Sequence, residues 1–268
     1  MGETAADTII RLRQLLDLYA NVRPVKNVPG VPSVATGVDF VIVRENTEDL
    51  YKGMEFDFEG GAIAIRLITK RASQRIAEFA FTLAERRDRR VVSVHKSNVL
   101  RKTDALFSAV CHEVGAMHPG VQLSDMYVDA ASMNLIRSPQ SFDVLVTTNL
   151  YGDILSDEGA QLVGGLGLVP SANVGERYAL FEPVHGSAPD IAGRGISNPV
   201  AMLSATEMML DWLGQNRNDP AASQASRALT EAVHAVLLKE VRTPDIGGTA
   251  KTEEMADAIA REIASPKK

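Results

Sequence analysis

The stretch Val-Leu-Val-Thr-Thr-Asn-Leu-Tyr-Gly-Asp-Ile-Leu-Ser-Asp, residues 144–157, shows the pattern on which the fold prediction rests. A short apolar run is followed at once by polar residues, and these open a segment with helical spacing. Such a sequence is typical of a buried strand that leads into a helix. Repetition of this unit along the chain indicates an α/β protein with a sheet at its centre.

Three further apolar runs end in the same way, in a polar cluster. The runs are Phe40–Val43, Val91–Val94 and Met126–Val128, and helical stretches at 73–86 and 100–114 separate them. In open α/β sheets, ligands bind beyond the carboxyl ends of the strands. If the four strands share one edge, the residues that follow them face a single crevice. These residues are Arg44, Lys96, Asp129 and Asp153.

The remaining segments are predicted from periodicity and from turn residues. Residues 4–19 read as a helix, and the prolines from Pro24 to Pro32 indicate a loop after it. The segments 54–58 and 62–67 flank Glu59-Gly60-Gly61 and predict an antiparallel hairpin that protrudes as an arm. From Ala201 onward the sequence is mostly helical and amphipathic.

Composition limits the classes of function. The chain has 268 residues, of which 45% are hydrophobic, and a formal net charge of −6. An acidic balance argues against general binding of nucleic acid or of anionic membranes. We expect no membrane span and no signal peptide. With Cys111 as its single cysteine the chain can form no internal disulfide, so we expect a cytoplasmic protein.

Two carboxylates in the deciding stretch suggest a metal site. Asp153 and Asp157 are four residues apart on the predicted helix and project from one face. Mg²⁺ (or Mn²⁺) prefers such oxygen ligands and would relieve their repulsion, and Asp129 is a candidate third ligand. The alternative is a first helical turn that carries acids to suit the helix dipole.

Arginines from three elements are candidates for binding an anionic substrate. Arg13, Arg23 and Arg44 could hold a small polycarboxylate through bidentate pairs, although surface ion pairs are the commoner fate of arginine. Lys96 and Tyr51 are candidate proton-transfer groups, and either side chain is more often structural when it stands alone.

Two segments are candidates for nucleotide binding. Residues 164–167 hold three glycines but lack the last glycine of the dinucleotide fingerprint, so a tight turn is the better interpretation. In 182–193 the small residues permit close backbone approach, His185 can stack or form a hydrogen bond, and Asp190 can accept one from a ribose hydroxyl. The alternative is a polar surface loop.

Taken together, the chain from about residue 11 resembles the β-decarboxylating dehydrogenases, which act on isocitrate, 3-isopropylmalate, homoisocitrate and tartrate or malate. Five segments carry the resemblance, and they occur in order. They are Leu-Asp-Leu-Tyr-Ala-Asn-Val-Arg-Pro (16–24), Val-Arg-Glu-Asn-Thr-Glu-Asp-Leu-Tyr (43–51), Val-His-Lys-Ser-Asn (94–98), Asn-Leu-Tyr-Gly-Asp-Ile-Leu-Ser-Asp (149–157) and Glu-Pro-Val-His-Gly-Ser-Ala-Pro-Asp-Ile-Ala-Gly (182–193).

The resemblance implies a role for each candidate residue. Substrate carboxylates are bound by Arg13, Arg23 and Arg44, with Asn98 as a further substrate contact. Mg²⁺ is held by Asp129, Asp153 and Asp157. Lys96 helps to remove the hydroxyl proton during hydride transfer, decarboxylation gives a Mg²⁺-stabilised enolate, and Tyr51 protonates the enol. The NAD site comprises His185, Gly186, Ser187, Ala188, Pro189, Asp190, Ile191 and Asn198.

The resemblance also implies a fold and an assembly. We expect an isopropylmalate-dehydrogenase-like two-domain fold with a central mixed sheet. Residues 1–18 and 164–268 form the large, nucleotide-side domain, and 19–163 form the small domain with a dimerisation arm near 54–67. The active unit is a homodimer, because in this family Lys96 and one metal aspartate reach across the subunit interface.

Two matters are left open by the sequence. The family opens with a strand and a Gly-Asp-Gly-Ile-Gly-Pro-Glu loop that do not occur here, so we expect a large domain that is incomplete at its N-terminal part. Asp190-Ile191 resembles the NAD-preferring members, but the substrate is not separated among isocitrate, 3-isopropylmalate and homoisocitrate. The alternative function is a non-catalytic or regulatory subunit, or a truncated remnant, of the same fold.

Overall fold

The helices and strands alternate as the sequence predicts. The computed structural model describes residues 5–265, with side chains from residue 8 onward. In chain order the strands are β1 (Ala20–Lys26), β2 (Asp39–Glu45), β3 (Glu55–Phe58), β4 (Gly61–Ala64), β5 (Arg90–His95), β6 (Gln122–Tyr127), β7 (Val144–Thr147), β8 (Pro170–Val174) and β9 (Ala179–Pro183). The α-helices are α1 (Ala5–Leu15), α2 (Lys70–Glu85), α3 (Thr103–Gly115), α4 (Val128–Arg137), α5 (Asn149–Leu162), α6 (Val200–Arg217), α7 (Pro220–Leu238) and α8 (Thr252–Ala264).

The four predicted runs are neighbours in one sheet. In the described residues this mixed sheet has seven strands in the order β6-β5-β7-β2-β1-β8-β9. β7 pairs in parallel with β5 on one side and with β2 on the other, and β5 pairs in parallel with β6. The carboxyl ends of these four strands therefore lie at the same edge, as predicted. β7 is wholly buried, which is why its sequence is continuously apolar rather than alternating.

The predicted N-terminal helix and the loop after it are present, but their bounds differ from the prediction. The helix ends at Leu15 rather than at residue 19, while Thr4 lies outside the described residues. The loop begins only after Lys26, because Pro24 lies in strand β1, which is placed between β2 and β8. Proline is uncommon inside strands, and β1 is buried on both faces, so neither alternation nor composition revealed it.

Other differences concern the ends of elements. Strand β6 stops at Tyr127, so Asp129 does not close a strand but lies in the first turn of α4. Strands β8 and β9 were not predicted. The tight turn expected at Gly164-Gly165 is present, since these residues have φ angles of 123° and 117°, which favour glycine.

The predicted hairpin forms a separate two-stranded sheet. β3 and β4 pair antiparallel from Glu55↔Ala64 to Phe58↔Gly61, and Gly60 makes the turn with a φ of 85°. All residues of both strands are exposed, among them Phe56 and Ile63. Two strands with exposed aromatic and aliphatic side chains are marginal alone, so this arm favours contact with another surface.

Residue contacts divide the chain into two units. The first contains Met1–Pro24, Asp39–Glu158 and Asn173–Ala179, and the second contains Val25–Val38, Gly159–Ala172 and Leu180–Lys268. The chain passes between the units after residues 24, 38, 158, 172 and 179, and α1 belongs to the first unit. The assignment of these units to the family's large and small domains stays a prediction.

Each unit has its own apolar core. In the first, Phe40, Phe81, Phe107, Leu135 and Leu145 are fully buried between sheet and helices. The second is built around residues from α6, α7 and α8, with Val200, Leu237 and Met255 inaccessible to solvent. Among residues 5–265, no helix is both long enough and apolar enough to cross a lipid bilayer.

Candidate active site

Arg44 is the central cation of the candidate site. It lies at the end of β2 and its side chain is only 1% exposed. Nε and Nη2 donate to Oδ1 of Asn149 at 2.9 and 2.7 Å, and Nη1 contacts Oδ1 of Asp153. A Cβ at Gly152 would lie 2.6 Å from Cβ and Cγ of Arg44. Any larger residue at position 152, in the first turn of α5, would overlap with the Arg44 side chain, so a glycine is required there.

Arg23 approaches the same carboxylate from β1. Its Nη1 donates to Ser156 Oγ at 2.6 Å and lies 3.3 Å from Oδ1 of Asp153. Burial and the nearby Arg44 charge lower the pKa of Arg23 to about 10. Arg13, in the last turn of α1, adds a third positive charge that acts on both of these arginines. The structure thus brings together all three predicted substrate arginines.

Asp153 and Asp157 share one face of α5, as predicted. Oδ1 of each lies within 3.7 Å of Arg23 Nη1. Burial raises the pKa of Asp153, but the Arg44 charge, the Tyr51 hydrogen bond and the Arg23 charge together lower it. Burial, helped by the Asp153 charge, raises the pKa of Asp157, whose side chain is 57% exposed. The inner carboxylate is thus held by cations and the outer one faces solvent.

Tyr51 is bonded directly to this pair of acids. Its hydroxyl donates to Oδ2 of Asp153 at 2.6 Å, and the guanidinium of Arg44 lies 5.0 Å from the centre of its ring. Burial and the hydrogen bond to Asp153 raise the pKa of the hydroxyl. The group therefore remains protonated near neutral pH, and a protonated hydroxyl at a cluster of charges is able to act as a general acid.

Lys96 and Asp129 form a second cluster on two other elements. Lys96 follows β5, and its Nζ donates to Oδ1 of Asp129 at 2.5 Å. The Asp129 side chain is 66% exposed, and the Lys96 hydrogen bond lowers the pKa of its carboxyl. Asn98, in the following loop, is exposed. Within the part of the chain that the structure describes, no three acidic, His or Cys side chains are arranged to hold a metal.

Comparison with known proteins places the chain in a family. The model of the isocitrate/isopropylmalate dehydrogenases matches residues 2–259. A 3-isopropylmalate dehydrogenase from Methanothermobacter thermautotrophicus is 52% identical over 98% of this chain and 78% of its own length. A homoisocitrate dehydrogenase from Methanocaldococcus jannaschii is 47% identical over 95% of this chain and 74% of its own. The chain belongs to the isocitrate/isopropylmalate dehydrogenase family.

A solved structure supports the family fold. The crystal structure of isocitrate dehydrogenase from Methylococcus capsulatus has a TM-score of 0.91 and 43% identity, and the match covers 99% of this chain and 79% of that one. The family defines the chain as a dehydrogenase of the isocitrate/isopropylmalate type.

The segment predicted to bind nucleotide lies in the second unit. It runs from β9 through a one-turn 3-10 helix, Pro189–Ile191, and is mostly exposed. Asn198 follows it, donates to Oδ2 of Asp245 at 3.0 Å and accepts from the Val200 amide. A Cβ at Gly186 would meet no atom within 4 Å. The fold of this dehydrogenase therefore does not itself require the small residue.

Sequence reasoning missed several polar residues that build the candidate site. Asn149 accepts both bonds from Arg44, and Ser156 accepts one from Arg23. Both lie in the segment 149–157, so their closeness to the aspartates on α5 was an available signal. Asn21 accepts a hydrogen bond from Arg23 Nε at 2.7 Å. No sequence signal pointed to this residue, because β1 was not recognised as a strand.

Proposed function

We propose that this dehydrogenase catalyses the NAD-dependent oxidative decarboxylation of a malate-type 2-hydroxy acid. Isocitrate and 3-isopropylmalate are the first candidate substrates, and homoisocitrate is a further one. The observation that carries the proposal is the gathering of three arginines around Asp153, with Tyr51 bonded to the same carboxylate. A small dianionic or trianionic substrate fits a site in which guanidinium groups outnumber carboxylates.

The arginines bind and orient the substrate. Arg23 and Arg44 have planar guanidinium groups that match carboxylate geometry, and burial strengthens their pairs with an incoming anion. In the protein alone these groups are satisfied by Asp153, so a substrate carboxylate exchanges with a carboxylate of the chain. Ile9 and Ile10 on α1 are half-exposed, and they offer apolar contact to a substrate side chain.

The carboxylates on α5 suit a divalent cation. Asp153 is the stronger acid and Asp157 faces solvent, so the pair supplies hard oxygen ligands of the kind that Mg²⁺ or Mn²⁺ binds. Asp129 lies with Lys96 instead, and we propose that the third ligand is the partner subunit's Asp129. A bound cation supplies Lewis-acid stabilisation of negative charge on the substrate oxygens.

Proton transfers fall to Lys96 and Tyr51. Lys96 of the partner subunit helps to remove the hydroxyl proton, and a bound NAD would supply the hydride acceptor. Loss of CO₂ from the carboxylate of the keto acid leaves an enolate, and Tyr51 delivers its hydroxyl proton to the carbon of that enolate. The raised pKa of Tyr51 supports this role, since the group must carry its proton when the enolate forms.

The nucleotide is assigned to the segment 182–193 and Asn198. Gly186 is not required by neighbouring protein atoms, which favours an outside group that approaches the backbone. Asp190 is exposed, and a carboxylate there accepts from the ribose hydroxyls of NAD but repels the 2′-phosphate of NADP.

Exposed apolar side chains support the homodimer. On α4, Met133 and Ile136 are more than half exposed, and Ile154 on α5 is exposed to the same degree. The arm adds Phe56 and Phe58. Apolar surface of this extent on the elements that carry Asp129, Asp153 and Asp157 favours burial against a second copy of the chain.

The test is NADH formation with Mg²⁺ and, separately, isocitrate, 3-isopropylmalate and homoisocitrate. We expect turnover with one of the three, loss of turnover on chelation of the metal, and much weaker turnover with NADP. Tyr51→Phe, purified in the same way, controls for contaminating dehydrogenases. Absence of NADH with all three substrates would contradict the proposal and leave the non-catalytic subunit as the interpretation.

A further inference from the structure

Arg66 lies behind the candidate site and joins the elements that carry it. The residue follows β4 at the base of the arm, and its side chain is largely buried. Nε donates to Oδ1 of Asp49 at 2.7 Å, Nη1 contacts Oδ1 of Asp104, and Nη2 donates to Thr148 Oγ1 at 2.7 Å. Its guanidinium also lies 4.7 Å from the centre of the Tyr151 ring.

Asp49 connects Arg66 to Tyr51 and to helix α5. Its carboxylate accepts from the amide of Leu50 at 2.9 Å and from the amide of Leu150 at 3.1 Å. The first amide opens the turn that holds Tyr51, and the second lies in the first turn of α5, which holds Asp153. One buried carboxylate thus fixes both partners of the hydrogen bond between Tyr51 and Asp153.

The backbone of Asp49 has a strained conformation, in which its carboxylate makes these bonds. Its φ of 70° and ψ of −149° belong to a region that is occupied almost only by glycine. Glycine at this position would relieve the strain but would have no carboxylate. The bonds of the Asp49 carboxylate to Arg66 and to the two amides explain why an aspartate occupies the position.

Asp104 connects the same guanidinium to Lys96. Its side chain is fully buried at the start of α3, and Oδ2 accepts from the Lys96 amide at 2.6 Å. Arg66 therefore links the turn of Tyr51, the first turn of α5 and the loop of Lys96, although these lie far apart along the sequence.

Only arginine meets the demands of this position. Two fully buried carboxylates flank one cation, and leaving either unpaired is strongly unfavourable. A planar guanidinium donates to both sides at fixed angles, whereas an ammonium is a point charge. Burial lowers the pKa of Arg66, but the bonds and charges of Asp49 and Asp104 outweigh it and raise the pKa, so the group stays charged.

We propose that Arg66 is a positioning residue for the reaction, which holds Tyr51, Asp153 and Lys96 in place through Asp49 and Asp104. The inference rests on the proposed function for its kinetic consequence and on the contacts alone for its structural one. Arg66 is not among the arginines proposed to bind substrate, so we expect its loss to act on the proton-transfer groups and to leave Arg13, Arg23 and Arg44 in place.

The kinetic experiment compares Arg66→Met and Arg66→Lys with wild type in the same assembly state, checked by size-exclusion chromatography. We expect kcat to fall about 10- to 100-fold while KM for the hydroxy acid changes less than about threefold, since supporting residues of a site have effects of that size. Arg71→Lys, an exposed arginine five residues away, is the matched control. An unchanged kcat, or a loss that disappears once activity is expressed per folded protein, would overturn the proposal.

A second measurement is independent of turnover. In Arg66→Lys we expect the amides of Leu50, Lys96 and Leu150 to exchange hydrogen at least about tenfold faster, with Ile42 in β2 as the internal reference. Unchanged exchange at all three would overturn the positioning role, even if the enzyme is active. If the wild-type chain oxidises none of the hydroxy acids, the proposed function fails while the exchange result still decides the role of Arg66.

Discussion

The Arg44 cluster and the Lys96–Asp129 pair lie at the same edge of the sheet but are built differently. Arg44 is 1% exposed, and Asn149, Asp153 and the Tyr51 ring surround it within one chain. Asp129 is 66% exposed and is bonded to Lys96. The charges of the Arg44 cluster are buried and hydrogen-bonded, whereas the carboxylate of the Lys96–Asp129 pair faces solvent.

The difference separates a part of the candidate site whose charges are satisfied by buried partners from a part whose charges are exposed to solvent. A buried arginine cluster must be satisfied internally in order to fold, because unpaired buried charge is strongly unfavourable. An exposed ion pair contributes little to the stability of the fold, and its charged groups are accessible to other molecules. We therefore expect substitutions in the first region to affect stability and activity together, and substitutions in the second to affect activity alone.

The largest effect is expected from mixing two inactive variants. Tyr51→Phe and Lys96→Met should each lose about 10²- to 10³-fold in kcat, because each removes a proton-transfer group. If the partner subunit supplies Lys96, co-refolding equal amounts should restore about one quarter of wild-type activity, since half of the dimers then carry one intact site. Each variant refolded alone is the control. A mixture as inactive as its components would place Tyr51 and Lys96 of the same chain in one site.

A smaller effect is expected from a substitution that adds a side-chain atom beside Arg44. Gly152→Ala introduces a Cβ against Cβ and Cγ of Arg44, which are too near the backbone to move aside freely. We expect a loss of about 1–2 kcal/mol in the free energy of unfolding, because overpacking outweighs the better helix propensity of alanine. The displaced Arg44 should also lower kcat/KM about 10- to 100-fold. Denaturant unfolding and steady-state kinetics measure the two quantities.

Gly120→Ala is the matched control for this substitution. A Cβ at Gly120 would meet nothing within 4 Å, so stability and kinetics should both stay at wild-type values. Equal behaviour of the two variants would show that α5 moves freely away from β2. The site would then be less tightly packed than the contacts of Arg44 indicate.

The smallest effect is expected beside the exposed region, at Asp125 on β6. His112 Nε2 lies 2.5 Å from Oδ2 of its carboxylate, while His95 Nε2 and Ser108 Oγ lie 3.1 and 3.3 Å from Oδ1. Burial raises the pKa of Asp125, but the bonds and charges of His112 and His95 outweigh it and lower the pKa below the ordinary 3.8. The stabilisation is therefore present above pH 3.8 and is lost as the pH falls through the lowered pKa.

Asp125→Asn tests this dependence by denaturant unfolding at pH 6 and at pH 3. The variant should be less stable than wild type at pH 6, by less than about 1 kcal/mol because the group is partly exposed, and the difference should be smaller at pH 3. Asp57→Asn on the exposed arm is the control. A difference that is as large at pH 3 as at pH 6 would assign the effect to altered packing instead of charge.

Most of the sheet could be predicted from the sequence, because β2, β5 and β7 are mainly apolar runs that end in polar clusters. Strand β1 could not, since Pro24 within it is typical of loops. Asp129 was placed at the end of a strand, whereas it opens α4. An acid in that position suits either a strand end or the first turn of a helix, and local sequence does not distinguish them.

The candidate site was predicted in part for a similar reason. Asp153 and Asp157 belong to one helix, so their spacing showed that they lie together. The arginines come from α1, β1 and β2, and only the resemblance to a family joined them. Arg66 and its carboxylates were not predicted at all. Asp49 lies 17 residues from Arg66 along the chain, and Asp104 lies 38 residues from it. No spacing rule relates the base of a hairpin to the start of a distant helix.

The place of β7 has a consequence for the order in which the chain folds. β7 lies between β2 and β5, both of which are made before it, and its pairing with β2 joins Val41 to Val144. Until β7 has been synthesised, one edge of each earlier strand has no partner, and contacts over such separations form slowly. The nascent chain therefore carries open strand edges that invite intermolecular pairing, which a chaperone would suppress.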